Sequence, residues 1–188
     1  MSRILTGFLF IFLDFNLTLG NSKIGLIPDF IGYLIMLGGL AEMAEESPLF
    51  ENVRPFAVGM AVYTGILYAM DLIGLSASLG FLTYLIAVIG TVVSLYISYN
   101  IVTGVQETEV KRGAFLAGDR LRSCWVNLAI LNAVTYVSII FPFLAVICII
   151  VTFIIAVIFL LAFRNSKNLY YEMKARPMGI MREPEDNI

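Results

Sequence analysis

The chain contains no histidine, only two cysteines and one tryptophan, and charged residues make up just 14% of its 188 positions. The absence of histidine excludes a Ser–His–Asp or Cys–His nucleophile pair, a histidine-ligated haem and the common zinc sites. Cys124 and Cys148 are too few for a four-cysteine metal or iron–sulfur centre within one chain. No serine has a base partner, and the Gly-x-Gly-Asp pattern of aspartate-based intramembrane proteases is missing. The expectation is therefore a protein that is not an enzyme and needs no metal or cofactor. A soluble domain carries about 25% charged residues, so this chain lacks the polar surface to cover itself in water. With a net charge of −2 and its basic residues committed to topology, it is not expected to bind nucleic acid.

What the chain has is apolar length. Hydrophobic residues form 60% of it and the mean hydropathy is +0.90. Six apolar runs stand out, at about residues 4–20, 24–41, 56–75, 79–102, 124–141 and 143–163. Each is close to the ~17–25 residues that a helix needs to cross a ~30 Å hydrocarbon layer. The expected fold is all-α, a polytopic membrane protein with a six-helix domain over residues 1–163. A polar connector at 106–123 and a tail at 164–188 complete the layout, and Pro142 separates the last two runs. The first run follows Arg3 and lacks a small-residue cleavage site, so it reads as a retained span.

The basic residues give the orientation. Arg3, Arg54, Lys111, Arg112, Arg120, Arg122, Arg164, Lys167, Lys174, Arg176 and Arg182 share one side if both termini are cytoplasmic. Only Lys23 then falls outside, a strong positive-inside signal for a multi-pass protein of the cell membrane.

Small residues mark helix contacts. Ala61, Gly65 and Ala69 form a small-xxx-small face, Gly32 and Gly39 thin the second run, and Tyr84, Ala87, Thr91, Ser94 and Ser98 share one stripe. These read first as packing positions.

The acids inside apolar runs carry the functional question. Asp14, Asp71 and Asp29 converge on the outer half of the membrane, and a charged Asp near the bilayer centre costs about 2.5–3.5 kcal/mol on insertion scales. Thr18 and Asn21 follow Asp14 at helical spacing, and Lys23 is within reach of Asp29 as an ion partner. Two readings stay open: a structural network in which Asp29 caps the second helix, or an outward-facing pocket for a cation, a proton or a small polar solute. In the second, Asp14 and Asp71 bear the charge and Asp29, Asn16, Asn21 and Tyr33 complete the ligand set.

Leu13-Asp14-Phe15-Asn16 followed by Pro28-Asp29-Phe30-Ile31-Gly32-Tyr33 resembles the opening of a family of small integral membrane proteins of Gram-positive anaerobes. That resemblance covers about the first forty residues and implies no activity. In layout alone the chain is similar to the substrate-binding S-components of energy-coupling-factor transporters, which implies a vitamin or metal ion held near the outer face. The Ala-x-x-x-Ala contact typical of their first span is absent from residues 4–20. The expected function is binding or transport of a small polar or cationic solute, alone or as a component of a larger transporter. The alternatives are a membrane scaffold docking a partner protein through its small-residue faces, and a pore built from several copies. The lipid bilayer is a partner in every case.

Overall fold

The computed structural model describes residues 1–12, 16–19, 22–25, 28–74, 81–138 and 141–175 (16–19, 22–25, 81, 83 and 142 by backbone alone). In chain order the elements are α1 (Ser2–Phe12), β1 (Asn16–Leu19), β2 (Ser22–Gly25), α2 (Asp29–Met43), α3 (Pro48–Asn52), α4 (Arg54–Leu72), α5 (Phe81–Arg112), α6 (Gly118–Ser138) and α7 (Pro142–Ala175). Among the described residues the fold is all-α apart from one antiparallel hairpin, in which Asn16 faces Gly25 and Leu19 faces Ser22. Three helical stretches, Pro48–Leu72, Tyr84–Arg112 and Phe143–Ala175, are long and apolar enough to cross a membrane. The helices close a ring: α1 packs on α2 and α7, α2 on α4, α4 on α5, α5 on α6, and α6 on α7.

The first two apolar runs depart from the expected uninterrupted helices over 4–20 and 24–41. Helix α1 stops at Phe12 and α2 does not begin until Asp29, with the hairpin between them. Asn16-Leu17-Thr18-Leu19 alternates leucine with residues that favour turns or strands, so its apolar count is as compatible with a strand as with a helix. Pro28, at φ −69° and ψ 129°, sets the start of α2.

Burial divides the bundle into two halves. Exposed apolar side chains run from Phe56 to Ile73 on α4 and its C-cap, from Leu82 to Tyr99 on α5, and from Phe143 to Leu161 on α7. Each stretch covers roughly 18 residues, or about 27 Å of helix, which matches the apolar thickness of a bilayer. On α6 the exposed stripe is Val126, Ile130, Val134 and Val137. Together they form a belt. Beyond it, at the end holding Arg3, Arg54, Arg122 and Arg164, the pattern inverts, and Met43, Phe50, Val53, Val105, Leu116 and Leu121 are buried as in a soluble core. Helices α5 and α7, of 32 and 34 residues, reach about 48 and 51 Å at 1.5 Å per residue, enough to serve both halves.

Helices α1 and α2 meet through glycine. A Cβ on Gly7 would lie 2.7 Å from the Gly32 carbonyl oxygen, and one on Gly32 would lie 2.9 Å from that of Gly7. One turn and more away, a Cβ on Gly39 would lie 2.7 Å from the Ile4 nitrogen. On its other side α1 sets Phe8 edge-on against Phe159 and Phe163 of α7, with centroids 5.4 and 5.3 Å away.

The charged end is tied by Glu46, 7% exposed, in the turn after α2. Its carboxylate takes two bonds from Arg112 of α5, at 2.8 and 2.9 Å, and one from the Tyr170 hydroxyl of α7 at 3.0 Å. Lys111 adds bonds to the Glu45 and Glu46 carbonyls at 2.7 and 3.1 Å. The Arg112 guanidinium, helped by Tyr170, holds the Glu46 carboxyl below its ordinary range against the opposing effect of burial.

Two predictions follow from these contacts. Gly7→Ala should lower stability in detergent by about 1–3 kcal/mol through overpacking, whereas Gly59→Ala, with nothing within 4 Å of the new Cβ, should leave it unchanged or slightly raised; chemical unfolding reads both. Glu46→Gln should cost about 1–3 kcal/mol at neutral pH. Because the folded carboxyl titrates low, the Glu46 contribution is present above the ordinary carboxylate pKa of about 4.3 and disappears as pH falls through the lower folded value. The gap between wild type and Glu46→Gln should therefore close on acidification below that range, and a gap unchanged with pH would refute this account.

Candidate functional site

Where α1 ends and α2 begins, the ring is not filled. A cavity of about 380 Å³ lies there, bounded by Ile11 and Phe12 of α1 and by Asp29 and Tyr33 of α2. Helix α4 adds Met60, Tyr63, Thr64 and Leu67; α5 adds Ala87, Gly90, Thr91, Ser94 and Leu95; α6 adds Asn132 and Tyr136. The contributions of α4, α5 and α6 all fall inside the exposed apolar stretches of those helices, so the cavity lies at belt depth. Its volume corresponds to about a dozen waters at ~30 Å³ each and to the lower range of small-molecule pockets.

Its wall is built by hydrogen bonds between neighbouring helices. The Tyr63 hydroxyl crosses from α4 to donate to the Ile86 carbonyl of α5 at 2.7 Å. Gly90 makes this possible, since a Cβ there would sit 2.8 Å from the Tyr63 ring. Tyr136 of α6 lies 2.5 Å from Thr91 Oγ1 and 3.2 Å from the Ala87 carbonyl, both on α5. The Tyr84 hydroxyl returns from α5 to the Tyr136 carbonyl at 3.0 Å. Towards the charged end, Trp125 Nε1 donates to Ser98 Oγ at 3.0 Å. Thr64 and Asn132 donate to carbonyls of their own helices, Met60 at 2.7 Å and Leu128 at 2.9 Å. Tyr33 is 2% exposed; Ser94 and Asp29 lie near its hydroxyl, yet among the described residues no group completes a hydrogen bond of good geometry to it.

The expected site residues are placed unequally. Asp29 and Tyr33 line the cavity. Asp71, in the last turn of α4, is half-exposed and is not part of the wall. Asp14 and Asn21 lie outside the described residues. Asn16 and Lys23 are placed by backbone alone, opposite Gly25 and Thr18 in the hairpin, and their side chains, with the expected Lys23–Asp29 pair, lie outside the described residues. Of the packing positions, Gly32 and Gly39 sit in the α1–α2 contact, Ala61 is buried, a Cβ on Gly65 would lie 3.8 Å from Phe30 of α2, and Ala69 is exposed. Among the described residues no three His, Cys, Asp or Glu side chains gather into a metal-holding group.

Tyr63, Thr64, Asn132 and Tyr136 were not expected at a site. The signal for the tyrosines is their position: a belt tyrosine normally stands at the membrane interface, and one in the middle of an apolar run implies an inward-facing partner. A comparison with known protein families, curated proteins and solved structures finds no match to this chain.

Tyr136→Phe should lose the bonds to Thr91 and the Ala87 carbonyl and cost about 0.5–1.5 kcal/mol, measured as a lower unfolding midpoint. An unchanged midpoint would mean that the α5–α6 bonds do not hold the wall.

Proposed function

We propose that the chain is a multi-pass protein of the cell membrane, with both ends cytoplasmic, that binds a small polar solute in the belt cavity and serves its transport, alone or within a larger transporter. The observation that carries this reading is the cavity itself. Tyrosine, threonine, serine, asparagine and aspartate side chains from four helices converge on it at a depth where polar groups are costly unless they meet partners or water. Positive charge at one end, on Arg3, Arg54, Arg122 and Arg164, supports that end as cytoplasmic. The exposed stripe of α6 supports a fourth crossing helix beside α4, α5 and α7. Helices α1 and α2 leave the charged end and return to it, so both chain ends stay on that side however deep the hairpin reaches. Non-helical backbone at membrane depth is tolerated where it borders protein or a water-filled space, which fits a hairpin joining the two helix ends that bound the cavity.

The scaffold reading is less favoured, because Gly65 already faces Phe30 of α2 and Ala61 is buried within the chain. The test is thermal unfolding of the purified protein against amino acids, amines, vitamins and sugars, beside Ser94→Trp, which fills the cavity. A bound solute at one hundred times its dissociation constant should add about 2.7 kcal/mol of stability, and Ser94→Trp should stay folded and lose that response. If no solute shifts the wild type and Ser94→Trp is simply more stable, the cavity is a void and the proposal is wrong.

A further inference from the structure

We infer that the solute is a small polyhydroxylated molecule, of the size of a monosaccharide or a cyclic polyol, held through its hydroxyl groups by a hydroxyl-rich wall; this rests on the solute-binding reading above. Three observations point the same way. The first is which polar groups the cavity gathers. Tyr33, Tyr63, Thr64, Thr91, Ser94 and Tyr136 all border it, six hydroxyl side chains among the described residues. They come from α2, α4, α5 and α6, four separate parts of the wall. A solute with its polar groups at one end would satisfy one part and leave the others unmet, at the cost that an unpaired buried polar group carries. A ring bearing hydroxyls around its edge meets all of them.

The second is the direction of the hydrogen bonds. The Tyr63 and Thr64 hydroxyls donate their protons to the Ile86 and Met60 carbonyls, so what they retain for a solute is oxygen lone pairs. Tyr33 is the reverse case. It is 2% exposed, with Ser94 near its hydroxyl, yet among the described residues no group completes its hydrogen bond. A solute oxygen beside Tyr33 and Ser94 supplies the missing acceptor. The wall thus asks one solute both to donate and to accept. An ammonium only donates and an ionised carboxylate only accepts, whereas a hydroxyl does both and rotates to suit. Asp29 already interacts within the protein. With about four lone-pair sites on an ionised carboxylate, it can accept a solute hydroxyl while keeping that partner.

The third is the apolar remainder of the wall. Phe12, Ile11, Leu67 and Leu95 border the same space as the tyrosine rings. A cyclic polyol turns C–H groups to the two faces of its ring and hydroxyls to its edge, so aromatic and aliphatic surface suits the one and side-chain hydroxyls the other. At about 380 Å³ the cavity falls in the lower range of small-molecule pockets, which suits a single such ring.

The experiment is calorimetric titration of the full chain, purified in a detergent without a sugar headgroup, with glucose, galactose and myo-inositol. Cyclohexanol, cyclohexylammonium and cyclohexanecarboxylate, which keep a six-membered ring and carry one polar group each, serve as comparisons. The expected result is saturable binding of at least one polyol with about tenfold or greater preference, a 1.4 kcal/mol difference, over all three comparisons. Tyr33→Phe, which keeps the ring, should weaken that binding about three- to tenfold. Its solute-free unfolding midpoint should be unchanged or higher, because among the described residues the hydroxyl has no bond to lose. Ser94→Ala should weaken polyol binding in the same sense, and should Tyr33→Phe fail to fold, Ser94→Ala and the wild-type comparison decide. Equal binding of polyols and comparisons, preference for a charged ring, or polyol affinity unchanged in both variants overturns the polyol assignment while leaving a solute site in place. So does the absence of polyol binding beside a response to another class in the wider solute panel. Silence from every probe, with a wild type that also ignores that panel, overturns both readings.

Discussion

Two backbones touch where Gly7 crosses Gly32, and much of the molecule is arranged around that contact. No Cβ fits between them, since either glycine would place one within 3 Å of the other's carbonyl oxygen. The α1–α2 pair is therefore thin enough to close the ring between α7 and α4. Phe8 locks the pair to α7 from the other side. Phe12 at the end of α1 and Asp29 at the start of α2 both border the cavity, whose other walls are α4, α5 and α6. The cavity thus lies where two helix ends meet the small-residue stripe of α5, in which Ala87, Gly90, Thr91 and Ser94 line the wall.

The same chain solves two solvation problems in sequence. At the charged end apolar residues are buried and salt bridges such as Arg3–Glu42, at 3.2 Å, lie on the surface, as water demands. Glu46 is the exception, and its burial is tolerated because Arg112 and Tyr170 together satisfy it; a buried carboxylate with one partner fewer would face an uncompensated desolvation cost. In the belt the requirement inverts. Apolar side chains face out, and polar ones turn inward to one another, with Tyr63, Tyr84, Tyr136 and Thr91 joining α4, α5 and α6. Such bonds between helices contribute little each, about 0.6 kcal/mol on average, but they fix rotation about the helix axes, and rotation determines which groups face the cavity.

Legibility in the sequence followed the same division. Runs of Val, Ile, Leu and Phe long enough to span announced α4, α5 and α7 at once, because apolar length is a local property. Hydropathy did not register that α1 stops at Phe12, since Leu17 and Leu19 count the same in a strand as in a helix. Asp29 and Tyr33 were visible as polar residues in an apolar context, and both border the cavity. Thr91 and Ser94 were visible as a stripe, but a stripe of small hydroxyls has one appearance whether it packs a helix or lines a space. Tyr136 is indistinguishable in sequence from an interfacial tyrosine until α5 is laid beside it. Glu46 could not have been singled out from Glu42, Glu45 and Glu51, because what buries it is Arg112 and Tyr170, brought in from distant parts of the chain.

The distribution of polarity also bears on how many copies a site would need. A pore assembled from several chains requires polar side chains on the surfaces that would line the shared axis. The outward faces of the belt instead present Val62 and Ile66 on α4, Ile89 and Val92 on α5, Ile130 and Val134 on α6, and Ile150 and Ile154 on α7. These are surfaces for lipid or for apolar helix contacts, and lining a pore with them would leave an ion unsolvated across the whole belt. The inward faces carry the opposite chemistry, with the Asp29 carboxylate and several hydroxyl groups gathered, among the described residues, from a single chain. A ring of helices that turns its polar groups inward leaves the outer faces free for lipid or for a partner helix, and Tyr63 and Tyr136 hold that inward arrangement through their bonds to α5.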